Sequence, residues 1–360
     1  MLDDIYPAIV ADLLKLRENA TVILRACHEA GVALSLVTKA FCANADILRY
    51  LDDLPFHSLA DARLQNLARI SSPILKMLLR IGDPAQGRGI ISNSDISLQS
   101  EVTTIKALAA AAEKLRSHHK VILMIDLGDL REGIFFQDRA AILKAAEAVK
   151  RSPRLELHGL GCNLSCFGGI VPDQQNLGQL ADIASWLRRT LDLPIPLISG
   201  GNSSSLGLVF AGQLPRSINH LRVGEGLLLG MDTATGLPFP QLHQDAFTIR
   251  ARLGEAQNKP SKPIGHSGPN AFGELRSFPD LGMMRRGIAL IGRQDIDPQG
   301  LTALDADVRI LGASSDHLIL ELGRKSAYKV GDVLSFRPNY GALLKAYTGP
   351  YLMRVFVNPA

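Results

Sequence analysis

Cysteine is scarce in this chain, long apolar runs are missing, and neither sign of charge gathers into a block. Only four cysteines occur, Cys27, Cys42, Cys162 and Cys166. They do not pair as two CxxC knuckles, which argues against structural zinc. Cys162 and Cys166 lie four residues apart with no histidine cluster beside them, so the four read as reduced thiols of a cytoplasmic protein. No run approaches the roughly 18 apolar residues that a membrane span requires. The first residues, Met1-Leu2-Asp3-Asp4, are acidic where a signal peptide is basic. Net charge is +4, but lysine and arginine are dispersed, with no basic stripe interleaved with aromatics. Nucleic acid is therefore not an expected partner.

What is present is the composition of a globular protein, 46% apolar and 21% charged over 360 residues, a length that calls for two domains. From Asp12 to Ala30, Leu13, Leu16, Ala20, Ile23, Leu24 and Cys27 recur at helical steps, and Gly31 closes the pattern. The short apolar run Leu34–Lys39 then reads as a buried parallel strand. Further strands are expected near Leu59–Leu64, Ile74–Leu79, Gly89–Ser92, Val121–Asp126, Glu156–Cys162, Pro196–Ser199 and His220–Val223. Helices are expected at Ser100–His118, Arg139–Lys150 and Asp173–Thr190. Eight strands with intervening helices in about 230 residues is the size of a (β/α)8 barrel. After Gly230 the helical patterns stop. The turn-rich Gly236-Leu237-Pro238-Phe239-Pro240 leads into short β-rich runs at Phe247–Arg252, Ile288–Ile291, Val308–Leu311, His317–Leu322, Val333–Phe336 and Tyr351–Val357. Lys329-Val330-Gly331-Asp332-Val333 reads as a turn between two strands. The sequence thus predicts a barrel over residues 1–236 and an all-β domain over 237–360.

Three stretches bear chemistry. Lys39 stands at the carboxyl end of its strand, where catalytic groups of such barrels collect. Partial burial disfavours the charged amine and frees it to attack a carbonyl. Taken alone, it reads equally well as a surface lysine after a strand. Ile198-Ser199-Gly200-Gly201-Asn202-Ser203-Ser204-Ser205-Leu206 follows the seventh strand and opens a short helix. Its glycines admit a ligand to the backbone, and its serines lie beside helix N–H groups. Leu221-Arg222-Val223-Gly224-Glu225-Gly226 follows the eighth strand on the same rim. A strand-end lysine facing a phosphate cradle suits pyridoxal 5'-phosphate, whose aldehyde takes the amine.

These residues carry a family resemblance. VTKAFC (37–42), ISGGNSSSL (198–206), NHLRVGEGLLLG (219–230), IGRQDIDPQGL (291–301), LGASSDHLILEL (311–322) and NYGALL (339–344) occur in the order and spacing of one family. The chain resembles the fold-type III pyridoxal-phosphate amino-acid racemases, of the alanine racemase architecture and the ornithine/alanine racemase branch. The resemblance implies that Lys39 holds the cofactor and acts as one catalytic base. It implies a phosphate cradle of Ser203, with Ser204 beside it, and the amides of Gly224 and Glu225. Arg222 would face the pyridine nitrogen, with Asn163 where a buttressing histidine often stands. Tyr340 would reach the phosphate, and Arg131 would lie near the substrate carboxylate, where a loop salt bridge to Asp129 or Glu132 is the competing reading. A homodimer that completes the active site across subunits is also implied.

Two departures from the family pattern matter. The residues after the lysine, Ala40-Phe41-Cys42-Ala43, lack a phosphate-binding tyrosine. The second catalytic base, a tyrosine in a Gly-Tyr-x-Asp stretch, is replaced in Gly292-Arg293-Gln294-Asp295. Asp295 or His317 is expected to serve instead, and each reads equally as a turn aspartate or a strand-edge histidine. The substrate is expected to be an amino acid such as alanine or ornithine. An ornithine-like side chain would call for an acidic group, for which Asp295, Asp297 and Asp316 are available. The alternatives are an aldolase-type lyase of the same fold, a non-catalytic carrier of the cofactor, and a barrel that only binds. His317 is the only histidine after His266, without the metal spacing of such lyases. No metal is expected.

Overall fold

In the computed structural model, residues 6–323 and 327–358 are described; the acidic start at Met1–Asp4 lies outside them. They form two compact units, residues 15–244 in one and residues 6–14 with 245–358 in the other. Among the described residues, no helix is long and apolar enough to cross a membrane.

The chain begins with β1 (Ala8–Asp12) and α1 (Leu13–Glu29). It continues through β2 (Ala33–Val37), α2 (Ala45–Leu51), β3 (Ser58–Asp61), α3 (Leu64–Arg69), β4 (Leu75–Leu78), α4 (Gly87–Asn93) and β5 (Ile96–Gln99). Then come α5 (Val102–Leu115), β6 (His119–Asp126), the two-residue β7 (Ile134–Phe135), α6 (Arg139–Lys150) and β8 (Leu155–Gly161). The unit ends with α7 (Gln174–Leu191), β9 (Leu197–Ser199), α8 (Leu206–Phe210), β10 (His220–Val223) and α9 (Glu225–Leu229). Strands β2, β3, β4, β5, β6, β8, β9 and β10 pair in parallel, and the β5–β6 and β10–β2 pairings close them into a ring of eight. Val37, Ala60, Met77, Ile96, Leu98, Ile122, Met124 and Leu197 form an apolar cluster across six of these strands. The helices cover the ring with the faces their periodicity predicts. Asp138 and Asp173 cap α6 and α7, the latter in a reciprocal box with Asn176.

The expected fourth strand at Gly89–Ser92 is instead part of α4, and the strand lies at β5. Asp83 followed by Pro84 opens a turn of 3-10 helix that runs straight into α4. Gly87 lies against α5, where an added Cβ would stand 3.1 Å from the Ala107 carbonyl oxygen. Ile90 and Ile91 are buried on the inner side of α4, so the apolar pair belongs to a helix face.

Polar groups also occupy the barrel interior. His220 is fully buried, and its ring nitrogens lie 2.7 Å from the hydroxyls of Ser35 and Ser199; Ser35 in turn meets Ser58 at 2.6 Å. His119 Nε2 lies 2.8 Å from Ser97 Oγ, and its Nδ1 3.2 Å from the Ser94 carbonyl. Burial pushes the pKa of His119 down to about 4, against the upward pull of the Ser94 carbonyl and Asp95.

The second unit is built from β11 (Phe247–Pro260), β12 (Met283–Ala289), β13 (Leu301–Ala303), β14 (Arg309–Ala313), β15 (Leu318–Glu321), β16 (Val333–Pro338) and β17 (Met353–Val357). The order β13-β16-β11-β12-β15-β14 is antiparallel throughout. The turn at Gly331 (φ 97°) and Asp332 leads into β16. Two features lie outside the sequence pattern. Strand β1 pairs antiparallel with β11 and parallel with β17, so the chain's first strand belongs to this sheet. One helix, α10 (Tyr340–Thr348), stands among the strands, capped by Asn339.

Two experiments check this packing. A Cβ on Gly159 would lie 2.5 Å from the Leu197 carbonyl oxygen on the next strand, whereas one on Gly178 in α7 meets nothing within 4 Å. Gly159→Ala should lose about 1–3 kcal/mol and Gly178→Ala should gain about 0.5–1 kcal/mol in urea unfolding. The second concerns acid. Unfolded His119 takes a proton near pH 6.5, while the folded ring resists until about pH 4. The unfolded state then binds more protons, so stability falls as pH drops through that window, by up to roughly 3 kcal/mol. His119→Gln should flatten this acid limb when urea midpoints are followed from about pH 7.5 to 4.

Candidate active site

Every barrel residue singled out in the sequence lies beyond the carboxyl end of a barrel strand or at its last residues. Lys39 opens a single 3-10 turn, Lys39–Phe41, directly after β2. Thr38 fixes that strand end: its Oγ1 donates to Asp61 Oδ2 at 2.7 Å, and its N–H to the Ala60 carbonyl at 2.8 Å on the neighbouring strand. Phe41 is fully buried beneath the turn. Lys39 is half-buried. Burial lowers its pKa, the Arg131 charge lowers it further, and Cys166, Asp61 and Glu132 oppose the shift. An amine so placed loses its proton more readily than a surface lysine.

Arg222 lies on β10, which pairs with β2. The residue is only 2% exposed. Nη1 donates to Ser199 Oγ, and Nη2 donates to the Cys162 carbonyl at 2.6 Å and to Asn163 Oδ1 at 2.8 Å. Burial pulls the pKa of Arg222 down, and Cys162, Glu132 and Cys166 pull it up. Asn163 is held at both ends. Its Nδ2 donates to Glu132 Oε1. Because an arginine can only donate and a carboxylate only accept, the orientation of this amide is forced. Glu132 is also the partner of Arg131, whose Nε donates to Oε2 and whose Nη2 donates to Oε1 at 2.6 Å. The salt bridge that the sequence offered as a competing reading for Arg131 is thus present, with Glu132 and not Asp129.

Asp129 instead organises the facing loop. Its carboxylate accepts the amides of Cys166, Phe167 and Ile170 at 3.2, 2.8 and 3.1 Å, and its carbonyl accepts from Gly168 at 3.0 Å. Burial acts to raise the Asp129 pKa, but these backbone donors win and hold it below the usual carboxylate value.

Ser203 and Ser204 are buried in the turn after β9. Ser203 Oγ accepts the amides of Gly224 and Gly226 at 3.3 and 3.0 Å, which ties the two glycine-rich loops together. The amides of Ser203 and Glu225 open their helices and have no acceptor within them. Asn202 Oδ1 takes the Ser204 amide at 2.9 Å, and its Nδ2 donates to the Leu164 carbonyl at 2.9 Å. Glu225 is half-buried; burial raises its pKa and the Lys39 charge lowers it.

The remaining candidates belong to the second unit. Tyr340 opens α10. Asp295 Oδ2 accepts the Gly292 amide at 3.0 Å, closing its own turn. His317 and Asp316 are exposed, the latter accepting from Ser315 Oγ at 2.6 Å. The loops of Asp295 and His317 run side by side, joined by Arg293 N–H to the Ser314 carbonyl and Gln294 N–H to the Ser315 carbonyl, each at 2.9 Å. Arg293, at the place of the family tyrosine, is held bidentately by Glu274 at 2.7 and 3.0 Å and lies 4.3 Å over the Phe272 ring.

Sequence reasoning did not assign Glu132, Asp129, Ser199 or His220. An acid next to Arg131 was the one available signal for Glu132. If the Asp129 carboxylate is what orders the 165–170 loop, Asp129→Ala should speed hydrogen exchange of the Phe167 and Ile170 amides about 10- to 100-fold. Mass-spectrometric exchange with Asp46→Ala as a surface control checks this.

Comparison with known proteins agrees with the geometry. Residues 11–231 match the family described as alanine racemase, N-terminal domain. The chain is 43% identical over 349 residues to an ornithine racemase of Acetoanaerobium sticklandii, covering 96% of this chain and 98% of that protein. It is 33% identical over 355 residues to a lysine racemase of Thermotoga maritima, covering 98% and 99%. Among solved structures, alanine racemase from Streptomyces coelicolor A3(2) superposes with a TM-score of 0.74 over the full length of both chains at 19% identity, a likeness of fold. The barrel, the lysine at its strand end and these matches together place the chain in the alanine racemase family.

Proposed function

We propose that this chain is a pyridoxal 5'-phosphate-dependent amino-acid racemase whose substrate is a diamino acid, ornithine before lysine. The observation that carries the reading is the donor set at the ends of neighbouring strands β2 and β10: a half-buried lysine of lowered pKa and a buried arginine fixed by three acceptors. Beside them, after β9 and β10, buried hydroxyls and the opening amides of two short helices suit a phosphate. These residues fit the cofactor. Lys39 would hold its aldehyde, Arg222 would meet its ring nitrogen, and Ser203, Ser204 and the amides of Gly224 and Glu225 would take its phosphate, with Tyr340 as a further phosphate contact. Once bound, such a cofactor supplies an electron-withdrawing conjugated system that acidifies the Cα–H of an attached amino acid.

The protein's part follows from its side chains. Lys39 Nζ is the group that would move a proton on and off Cα on one face. Arg222 keeps its own proton, because a guanidinium does not titrate in the working range. It would therefore offer the ring nitrogen a hydrogen bond and no acid, which would favour return of the proton to Cα. Asn163 and Ser199 hold Arg222 in place. Arg131 takes the α-carboxylate. The opposite face requires a second base, and Asp295 or His317 is proposed for it. Leu130, Phe135, Phe167 and Val171 are exposed on the rim loops, which supports a homodimer in which a second copy covers the site. A cytoplasmic setting belongs to the same reading. The preference for a diamino acid rests on likeness to the ornithine and lysine racemases.

The test is the visible spectrum of the purified protein before and after borohydride, for wild type and Lys39→Ala, followed by deuterium exchange at Cα across a panel of L-amino acids. A band that borohydride bleaches, with the label on the Lys39 peptide, is expected, together with exchange and loss of optical rotation for ornithine. Lys39→Ala should lose racemisation by at least about 1,000-fold. A trapped cofactor without exchange would leave a lyase or a carrier; a protein that cannot be loaded would overturn the reading.

A further inference from the structure

Arg131 and Glu132 are consecutive, and side chains of consecutive residues in extended chain point apart. Here the loop after β6 bends them together. Gly128, Leu130 and Gly133 have φ of 109°, 54° and 127°, and Asp126 Oδ1 pins the loop by accepting the amides of Gly128 and Leu130 at 2.9 and 3.1 Å. A Cβ on Gly133 would come within 2.5 Å of the Asp126 nitrogen, so the loop closes tightly on the strand. The Glu132 side chain is only 14% exposed, against 41% for Arg131. Two of the five N–H donors of Arg131 go to Glu132 along the Nε–Nη2 edge, which leaves the Nη1 end for another anion. The same carboxylate accepts from Asn163, whose oxygen takes Arg222. One anion therefore stands between two guanidinium groups, touching Arg131 directly and Arg222 through Asn163.

We propose that Glu132 is the positioning residue that sets the Arg131 guanidinium for the substrate α-carboxylate and, through Asn163, ties that setting to Arg222. The inference rests on the racemase reading, in which Arg131 meets the carboxylate. A bidentate partner on one edge fixes the plane and direction of a guanidinium, so the opposite end presents its donors in one orientation. A neutral amide at this place can keep the Arg131 Nη2 and Asn163 bonds that Oε1 accepts, but it turns an N–H of its own against Arg131 Nε and so loses the two-point hold on the guanidinium. The carboxylate is also the anion nearest to balancing Arg131 and Arg222, and it raises the pKa of both.

The test compares cofactor-loaded wild type with Glu132→Gln and Glu132→Asp. Dissociation constants are read from the shift of the bound cofactor's visible band on titration with ornithine and with 1,4-diaminobutane, which is ornithine without its α-carboxylate. Glu132→Gln should weaken ornithine about 10- to 100-fold while changing diaminobutane less than about three-fold, since 1.4 kcal/mol corresponds to a factor of ten. KM for ornithine should rise more than kcat falls. Glu132→Asp should return part of the discrimination. An unchanged ornithine-to-diaminobutane ratio in Glu132→Gln, or an equal loss for both amines, overturns the proposal. Should Glu132→Gln not load cofactor, Glu132→Asp decides: a reduced ratio supports the assignment and an unchanged one overturns it. Failure of the racemase reading would show in the wild type instead, as absence of the visible band or of exchange at Cα.

Discussion

A guanidinium turned away from water must find an acceptor for the N–H groups it hides, or the fold does not tolerate it. Arg222 meets that requirement with neighbours from two other strand ends, Ser199 at the end of β9 and Cys162 and Asn163 just past β8. The cation thus sews three adjacent barrel strands together at their carboxyl ends. Its position admits little variation, because each acceptor is itself fixed. Ser199 is shared with His220 at 2.7 Å, and Asn163 is held at its far end by Glu132. The geometry of the mouth is set from within the barrel and not by the mobile ends of long side chains.

The direction of the hydrogen bonds can be followed inward. Arg222 can only donate, so Ser199 accepts from it and turns its own hydrogen to His220 Nδ1. His220 then carries its proton on Nε2 and donates to Ser35, whose hydrogen passes to Ser58. Burial keeps the ring neutral by pushing its pKa well below the ordinary histidine value, with the charges of His57 and Arg222 acting in the same sense. A protonated ring could not accept from Ser199, and the wire would reverse. Small residues leave room for it: a Cβ on Gly161 would lie 3.5 Å from Arg222 Nη1 and 3.0 Å from Met124 Sδ. Serine, histidine and glycine inside the barrel therefore answer the needs of one buried cation.

Much of this was legible from residue patterns, for reasons that differ by element. Arg139–Lys150 has an aspartate cap, an alanine-rich body and one apolar stripe, and the helix has those very limits. Ala33–Val37 is short, apolar and glycine-preceded, and it is a strand that delivers Lys39. Gly89–Ser92 misled because two isoleucines in four residues fit either period, and only packing against α5 decides. Strand β1 and helix α10 were invisible for another reason. A lone strand's partners, β11 and β17, lie more than 230 residues away, and a nine-residue helix with a glycine in its first turn has little period to read. Lys39 and Arg222 could be picked out because they end apolar strands. Glu132 could not be promoted above a loop acid, because its role depends on a bend made by positive φ angles and on an asparagine 31 residues later.

Charge closes the argument. Lys39, Arg131 and Arg222 are three cationic groups at one barrel mouth, and Arg131 lowers the pKa of both others. Of the nearby acids, Asp61 is committed to Thr38, Arg63 and Asn66, and Asp129 to backbone amides. That leaves Glu132 between the two arginines and Glu225 within reach of the Lys39 charge. In a partly desolvated pocket such an excess of positive charge favours ligands that bring anions of their own. The phosphate proposed for the Ser203 turn and the α-carboxylate proposed for Arg131 would supply them.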